Sequence, residues 1–232
     1  VDIEQPEVRT IATNSNCLIK DGMQFSTSVL DDERQRIATK MHNEGYFYFD
    51  KSMLEYVADS SYNCLGADVD IRMSKYVSQL PDSAQKRLYT KYTIRQVYFH
   101  IDYDPSRLPA DAELHIEQDK YGNEYSYIGK RFLRPGVLRR NCRIKAGGLY
   151  SERRVERTYS LLNALAPVKY VDIAFDPVGE NQLDCHITVS RGKLNNISAE
   201  VEGTYSAGDW GVAAGAGYIN RNIFHGAEQL SL

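Results

Sequence analysis

Five histidines, at positions 42, 100, 115, 186 and 225, and the run Asp31-Asp32-Glu33 are the side chains of this 232-residue chain whose types suit proton transfer or metal binding. Their spacing supports neither. No His-Glu-x-x-His places two imidazoles on one helix face, and there is no Gly-x-Ser-x-Gly elbow and no phosphate loop. Each histidine therefore reads as a surface or turn residue. The acidic run reads as the first turn of a helix, where the dipole favours negative charge. Cys17, Cys64, Cys142 and Cys185 allow three full pairings, and the sequence does not choose among them. Without a Cys-x-x-Cys, a zinc or thioredoxin-like site is not expected. Arg139-Arg140 and Arg153-Arg154 read as a solvated basic helix face, with a lipid head group or an acidic partner as the alternative. The expectation is a chain that is no enzyme, with no catalytic residue, no metal and no cofactor. A balance of 28 basic against 31 acidic side chains also argues against a nucleic-acid partner.

What remains is the chemistry of the backbone, and an internal repeat shows how it is arranged. Asn16-Cys-Leu-Ile-Lys-Asp-Gly-Met-Gln-Phe-Ser26 is echoed by Asn141-Cys-Arg-Ile-Lys-Ala-Gly-Gly-Leu-Tyr-Ser151. A short helix precedes each copy, at Pro6–Thr13 and Arg134–Arg140. After the first copy, Ser28-Val-Leu-Asp31 reads as a capping-box start. Leu30, Ile37, Ala38 and Met41 follow at helical spacing, and Gly45 suits a left-handed cap. Tyr46–Val57 then reads as a strand, followed by a turn and the strand Asp68–Met73. After the second copy, Ser151 reads as an N-cap. Val155, Tyr159, Leu162 and Ala166 form a helical face, and Pro167 ends it. Strands follow at Tyr170–Phe175 and Leu183–Val189. Ahead of the second copy lies an alternating strand, Tyr92–Tyr103, and a hairpin over 113–128 around Lys-Tyr-Gly-Asn.

The domain reading is 1–75, a polar linker at 76–91, 92–191 with its inserted hairpin, and 192–232. In the last segment Trp210, Val212, Ala214, Ala216 and Tyr218 fall on one face of a strand. Gly211, Ala213, Gly215 and Gly217 fall on the other. Only Val1-Asp2-Ile3 stand where the first unit needs a leading strand, and alternation resumes at Gln229–Leu232. The sequence thus reads as beginning inside a domain and ending inside a strand. No stretch approaches the roughly 18 apolar residues of a membrane helix, and VDIEQPEVRT shows no signal peptide.

A repeated strand-helix-helix-strand-strand unit with a Gly between its helices resembles the POTRA (polypeptide-transport-associated) domain. The tail is similar to the start of the barrel in the BamA/TamA family of outer-membrane assembly proteins, the bacterial surface antigen family. Asn220-Arg-Asn222-Ile-Phe224-His-Gly226-Ala-Glu228 matches that family's second-hairpin motif, except that His225 and Ala227 stand where glycines are common. The fold implied is α+β: tandem POTRA modules followed by antiparallel strands of a truncated transmembrane β-barrel. In such a barrel Ile197–Tyr205 would be the first strand. Ala199, Val201 and Tyr205 would then face lipid, with Gly203 leaving a gap, and Ser198, Glu200, Glu202 and Thr204 the lumen. Trp210 and Tyr218 would lie near the two interfaces.

The resemblance implies a fragment that is mostly periplasmic, at the bacterial outer membrane. Its partners would be unfolded outer-membrane or secreted proteins, other subunits of an assembly complex, and outer-membrane lipid. Client polypeptide would add to an edge strand, either Tyr46–Val57 (Tyr46, Phe47, Tyr48, Phe49, Met53, Tyr56) or Val168–Phe175 (Tyr170, Val171, Ile173, Phe175). Lys51 and Glu55 are the candidates for guarding the first edge. The implied alternatives are a two-partner-secretion translocase and a non-catalytic periplasmic adaptor. Exposed barrel strands would also favour self-association.

Overall fold

The computed structural model describes residues 3, 5–59, 67–107, 112–206 and 208–232. Two compact units divide the chain. The first comprises Val1–Ile94 with Gly148–Arg153 and Pro177–Leu183; the second comprises Arg95–Gly147, Arg154–Asp176 and Asp184–Leu232.

In the first unit, α1 (Pro6–Ala12) begins on a proline, whose fixed φ suits the first helical position. A loop leads to α2 (Thr27–Asn43). The expected capping box is absent. Ser26 is the N-cap without a side-chain cap bond, its hydroxyl instead 2.8 Å from that of Ser28. Asp31 is drawn away by Lys51 at 3.0 Å and Arg34 at 2.7 Å. Ile37, Ala38 and Met41 are buried, with Val8 and Ile11 of α1 in the same core. Gly45, at φ +103°, turns the chain out of α2, and a Cβ there would lie 3.2 Å from Leu149.

The strand expected from Tyr46 starts later. Residues 46–50 form a turn, Lys51–Met53 a 3₁₀ turn, and only Leu54–Asp59 is strand, β1, pairing antiparallel with β2 (Asp68–Met73). The aromatic run reads as strand because Tyr and Phe favour pleated surfaces. Tertiary packing overrides that preference. Phe47 lies edge-on to Tyr150 at 5.0 Å and Tyr48 to Tyr92 at 5.3 Å, while Tyr46 and Phe49 are buried. The Tyr92 amide donates to the Gly45 carbonyl and the Tyr150 amide to that of Tyr92. Segment 76–91, read as a linker, lies within helical structure and core. α3 (Lys75–Ser78) buries Val77, and Leu88 of α4 (Asp82–Leu88) packs on the same core with Tyr89.

The second unit is built on a five-stranded sheet. Its strands are β3 (Thr93–Ile101), β4 (Leu114–Gln118), β5 (Glu124–Ile128), β6 (Val168–Val178) and β7 (Gln182–Arg191), in the order β4-β5-β3-β7-β6. β3 and β5 run parallel, and β4 and β5 form an antiparallel hairpin. Leu138 of α5 (Pro135–Asn141) and Leu162 of α6 (Glu152–Asn163) are fully buried. So are Leu183, Cys185, Ile187 and Val189, alternate residues on one face of β7. α6 ends at Asn163, before the expected Ala166.

The repeat has a physical basis beyond matching letters. Each loop copy is pinned by a buried acceptor from the following helix: Leu18 N–H donates to Glu33 at 3.0 Å, and Arg143 N–H to the Thr158 hydroxyl at 2.9 Å. In both copies a thiol points at the carbonyl two residues on, Cys17 to Ile19 and Cys142 to Ile144. Burial raises the pKa of both thiols, and that of Cys185 further. Among the described residues these three thiols form no disulfide; Cys64 lies outside the described residues.

β8 (Asn195–Ser206) and β9 (Asp209–Asn220) form a long antiparallel hairpin, with β10 (Leu230–Ser231) added to β9. The register sets Ile197 opposite Tyr218, Ala199 opposite Ala216, Val201 opposite Ala214, Gly203 opposite Val212 and Tyr205 opposite Trp210. This is one apolar face. Ser198, Glu200, Glu202 and Thr204 alternate with it on β8, opposite Gly217, Gly215, Ala213 and Gly211.

Candidate functional site: a strand edge beside a helix

β6 is an edge strand of its sheet. Beside it lies an open groove of about 460 Å³, walled by Val155, Glu156, Tyr159 and Ser160 of α6 and by Val171, Asp172 and Ile173 of β6. Tyr159 and Tyr170 are exposed, while Val171 is buried and Ile173 and Phe175 are partly so. An edge presents backbone donors and acceptors in a row, and an adjacent apolar wall gives side-chain pockets to whatever pairs there. The sequence-predicted residues Tyr170, Val171, Ile173 and Phe175 thus lie together on one strand. The helix half of the groove was visible only as a helical face at Val155 and Tyr159.

The first-unit candidates do not form such a site. Of Tyr46, Phe47, Tyr48, Phe49, Met53 and Tyr56, only Tyr56 lies on β1. Among the described residues its buried hydroxyl has no hydrogen-bond partner, and burial raises its pKa. Glu55 bonds Arg72 across the pair at 2.7 Å, and Lys51 reaches Asp31. A larger groove, about 1190 Å³, runs between loop residues 19–26 and residues 67–70 beside and on β2.

The barrel-motif residues form a tied loop between β9 and β10. Asn222 is buried; its amide donates to the Phe132 carbonyl and accepts from the Ala227 N–H at 3.1 Å. The Glu228 carboxylate accepts from Gly226 N–H at 2.9 Å, and Phe224 is exposed. Asn220 donates to Asn195 at 2.7 Å. His225 and Ala227 adopt φ +60° and +67°, the left-handed region that glycine occupies at least cost. That accounts for the glycines expected there.

His225 lies in a turn as expected, but His100 and His186 are not scattered surface groups. His186 stacks on Tyr98 at 4.7 Å and on His100 at 5.3 Å, and the two imidazoles share a 3.0 Å contact. His100 also contacts Tyr103 and Ser126, each at 3.0 Å, and His186 lies 3.4 Å from Asp176. Burial, then proximity to His186, lowers the His100 pKa to about 4. Strand phase brings residues 86 positions apart onto one face, which no local pattern reveals. Ser151 stands immediately before α6, where a cap is expected. Asn43 adds an acceptor from outside the helix, its side-chain oxygen accepting from Ser151 Oγ at 2.8 Å and Arg153 N–H at 2.9 Å. Arg139, from the basic cluster, lies over the Tyr121 ring at 4.6 Å. Among the described residues no cluster of three or more His, Cys, Asp or Glu is placed to hold a metal.

No family model matches this chain, and no curated protein matches it. Solved structures do. BamA from Haemophilus ducreyi lacking POTRA domains 1–3 aligns over 100% of this chain and 35% of its own, at 14% identity and a TM-score of 0.65. The fold is BamA-like. CdiB from Acinetobacter baumannii aligns over 97% of this chain and 33% of its own, at 14% identity and a TM-score of 0.43. This chain therefore spans about a third of those two structures. The BamA likeness establishes the α+β architecture of POTRA units leading into antiparallel barrel strands.

Proposed function

We propose that this chain belongs to an outer-membrane protein assembly or translocation factor of the BamA kind, and that its β6 edge receives extended client polypeptide by strand addition. Clients are unfolded outer-membrane or secreted proteins, and the role is non-catalytic. The observation that carries this reading is the joining of an edge strand to an apolar-walled groove in one module. Main-chain bonds along Tyr170–Ile173 would supply affinity without regard to client sequence, and Val155 and Tyr159 would give alternate side chains a wall.

The membrane part of the reading rests on the β8–β9 face. Ile197, Val201, Trp210 and Val212 are 81%, 80%, 82% and 80% exposed, a contiguous apolar stripe that water would penalise. Hydrocarbon would not, and alternation with Ser198, Glu200, Glu202 and Thr204 matches a strand with one lipid side and one lumen side. No helix among the described residues is long and apolar enough to cross a membrane. Other assembly subunits and outer-membrane lipid complete the partners of this reading.

A pull-down of urea-unfolded outer-membrane barrel protein tests it. Ile173→Pro removes a backbone donor from the edge, and Tyr159→Glu leaves the backbone intact while charging the groove wall. Both variants are expected to lose most capture. Capture equal to wild type by both would overturn strand addition and leave a structural adaptor. Capture kept by mature, folded barrels alone would likewise refute it.

A further inference from the structure

A second open pocket in the second unit, of about 420 Å³, has a different character. Glu117, Tyr127, Gly129, Lys130, Arg131, Arg134 and His225 line it. Its one carboxylate is already committed, since Glu117 pairs with Arg131 and accepts the Tyr127 hydroxyl at 2.7 Å. Lys130 and Arg134 have no ion-pair partner among the described residues. The acidic group that feels Arg134 is Glu228, whose carboxylate is held by the Gly226 N–H. Two further cations thus stand beside one closed ion pair, an arrangement that attracts an anion with several acceptor oxygens.

The pocket is fastened to the hairpin. The Arg134 amide donates to the His225 carbonyl at 3.0 Å, the Asn222 side chain donates to Phe132, and the Arg221 amide donates to Leu194 at 2.8 Å. His225 is therefore held a few residues beyond Tyr218, the last member of the apolar stripe. β9 runs on for two residues past Tyr218, to Asn220, a descent of roughly 5 Å at about 3.3 Å per residue and a tilt of about 45°, and the loop carrying His225 follows it. The head-group layer beyond the hydrocarbon is about 5–8 Å thick on each side. Lys193 and Arg221 flank the hairpin base at the same level, Arg221 reaching the Lys193 carbonyl at 3.3 Å.

We propose that the pocket formed by Lys130, Arg131, Arg134 and His225 binds the phosphate of a lipid head group at the membrane surface. The assignment rests on the membrane reading of β8–β9. Lys130 supplies a point charge and Arg134 a planar fork, while the Glu117–Arg131 pair forms a fixed wall. A bound head group would set the depth and roll of the module against the bilayer, because the pocket and the hairpin share the loop at 221–228.

The test is co-flotation of the 232-residue chain with vesicles of phosphatidylcholine, alone or mixed with phosphatidylglycerol. Lys130→Gln/Arg134→Gln is expected to lower partition onto the anionic vesicles about 30-fold and to change partition onto phosphatidylcholine by less than about twofold. Lys20→Gln/Lys75→Gln, with the same net-charge change in the first unit, is expected to stay within about threefold of wild type on both. Circular dichroism checks that both variants are folded, and Arg134→Lys with Lys130 intact is expected to retain most of the preference. Equal losses in the two double variants would overturn the site in favour of bulk charge. A wild-type preference abolished by millimolar inorganic phosphate, with a matching rise in melting temperature, would overturn it in favour of a free anion. Absence of wild-type partition onto either vesicle would instead refute the membrane reading beneath it.

Discussion

Glu33→Ala is expected to destabilise the first unit by about 3–5 kcal/mol, the cost of breaking a buried ion pair from one side. Glu33 is buried, and its carboxylate accepts from Arg36 Nε at 2.8 Å, Arg36 Nη2 at 2.7 Å and the Leu18 amide at 3.0 Å. Removing it strands a guanidinium that is only 20% exposed and leaves the Leu18 N–H without its acceptor. Arg36 keeps one bond, to the Ile11 carbonyl at 2.8 Å, so it cannot swing freely into water. Hydrogen exchange across α2 reads the opening free energy of this unit without contributions from the rest of the chain. The double variant Glu33→Ala/Arg36→Met removes both charges and should recover about half of the loss. Acid should mimic the single variant. Burial alone would raise the Glu33 pKa, but the Arg36 and Leu18 bonds outweigh it, and the pKa lies below the ordinary value of 4.5. Its stabilisation is therefore complete above that value and is lost as pH falls through the folded pKa. A loss under about 1 kcal/mol, or a double variant no better than the single, would refute the reasoning.

His100 is expected to make the second unit acid-sensitive. Its folded pKa of about 4 lies below the ordinary 6.5, so protonation favours the unfolded chain, and about 3 kcal/mol should be lost between pH 6.5 and 4. Urea midpoints across that range check this, and His100→Phe should flatten the dependence. Asn43→Ala should cost about 1 kcal/mol by uncapping α6, with Asn43→Asp retaining most of it, read from exchange at the Arg153 amide. Val201→Arg, in mid-strand on the apolar face, should weaken bilayer insertion by about 2–4 kcal/mol. Glu202→Gln on the other face should change it by less than about 1 kcal/mol in the same assay.

The sequence made legible whatever depends on short-range pattern. Pro6 and Pro135 mark helix starts, Gly45 marks the end of α2, and the alternation on β8 and β9 fixes which residues share a face. The strand at Tyr170–Phe175 was legible because β-branched and aromatic residues follow a helix that must stop before Pro167, whereas its place at a sheet edge was implied by the resemblance alone. What depends on partners far along the chain was not. Tyr46–Phe49 has strand-like composition, yet rings from Tyr92 and Tyr150 capture it. Ser151 stands where a cap is expected, but the acceptor that Asn43 adds for the Arg153 amide comes from 110 residues away. The cationic pocket joins Lys130 and Arg134 to His225 across 90 intervening residues, and the His100–His186 stack depends on strand phase. Glu33 and Thr158 serve one purpose with unlike side chains, so matching letters could not pair them.

The aromatic cluster of Phe47, Tyr48, Tyr92 and Tyr150 bears on how such a protein can be dissected. Cutting at the apparent seam near residue 75 would peel Tyr92 and Tyr150 from Phe47 and Tyr48, cost the Gly45 carbonyl its donor, and bare greasy surface. Sequence periodicity and mechanical independence are therefore different things in this chain. A leading repeat excised at residue 75 should clump more readily than one that carries residues 92–94 and 148–153 along with it.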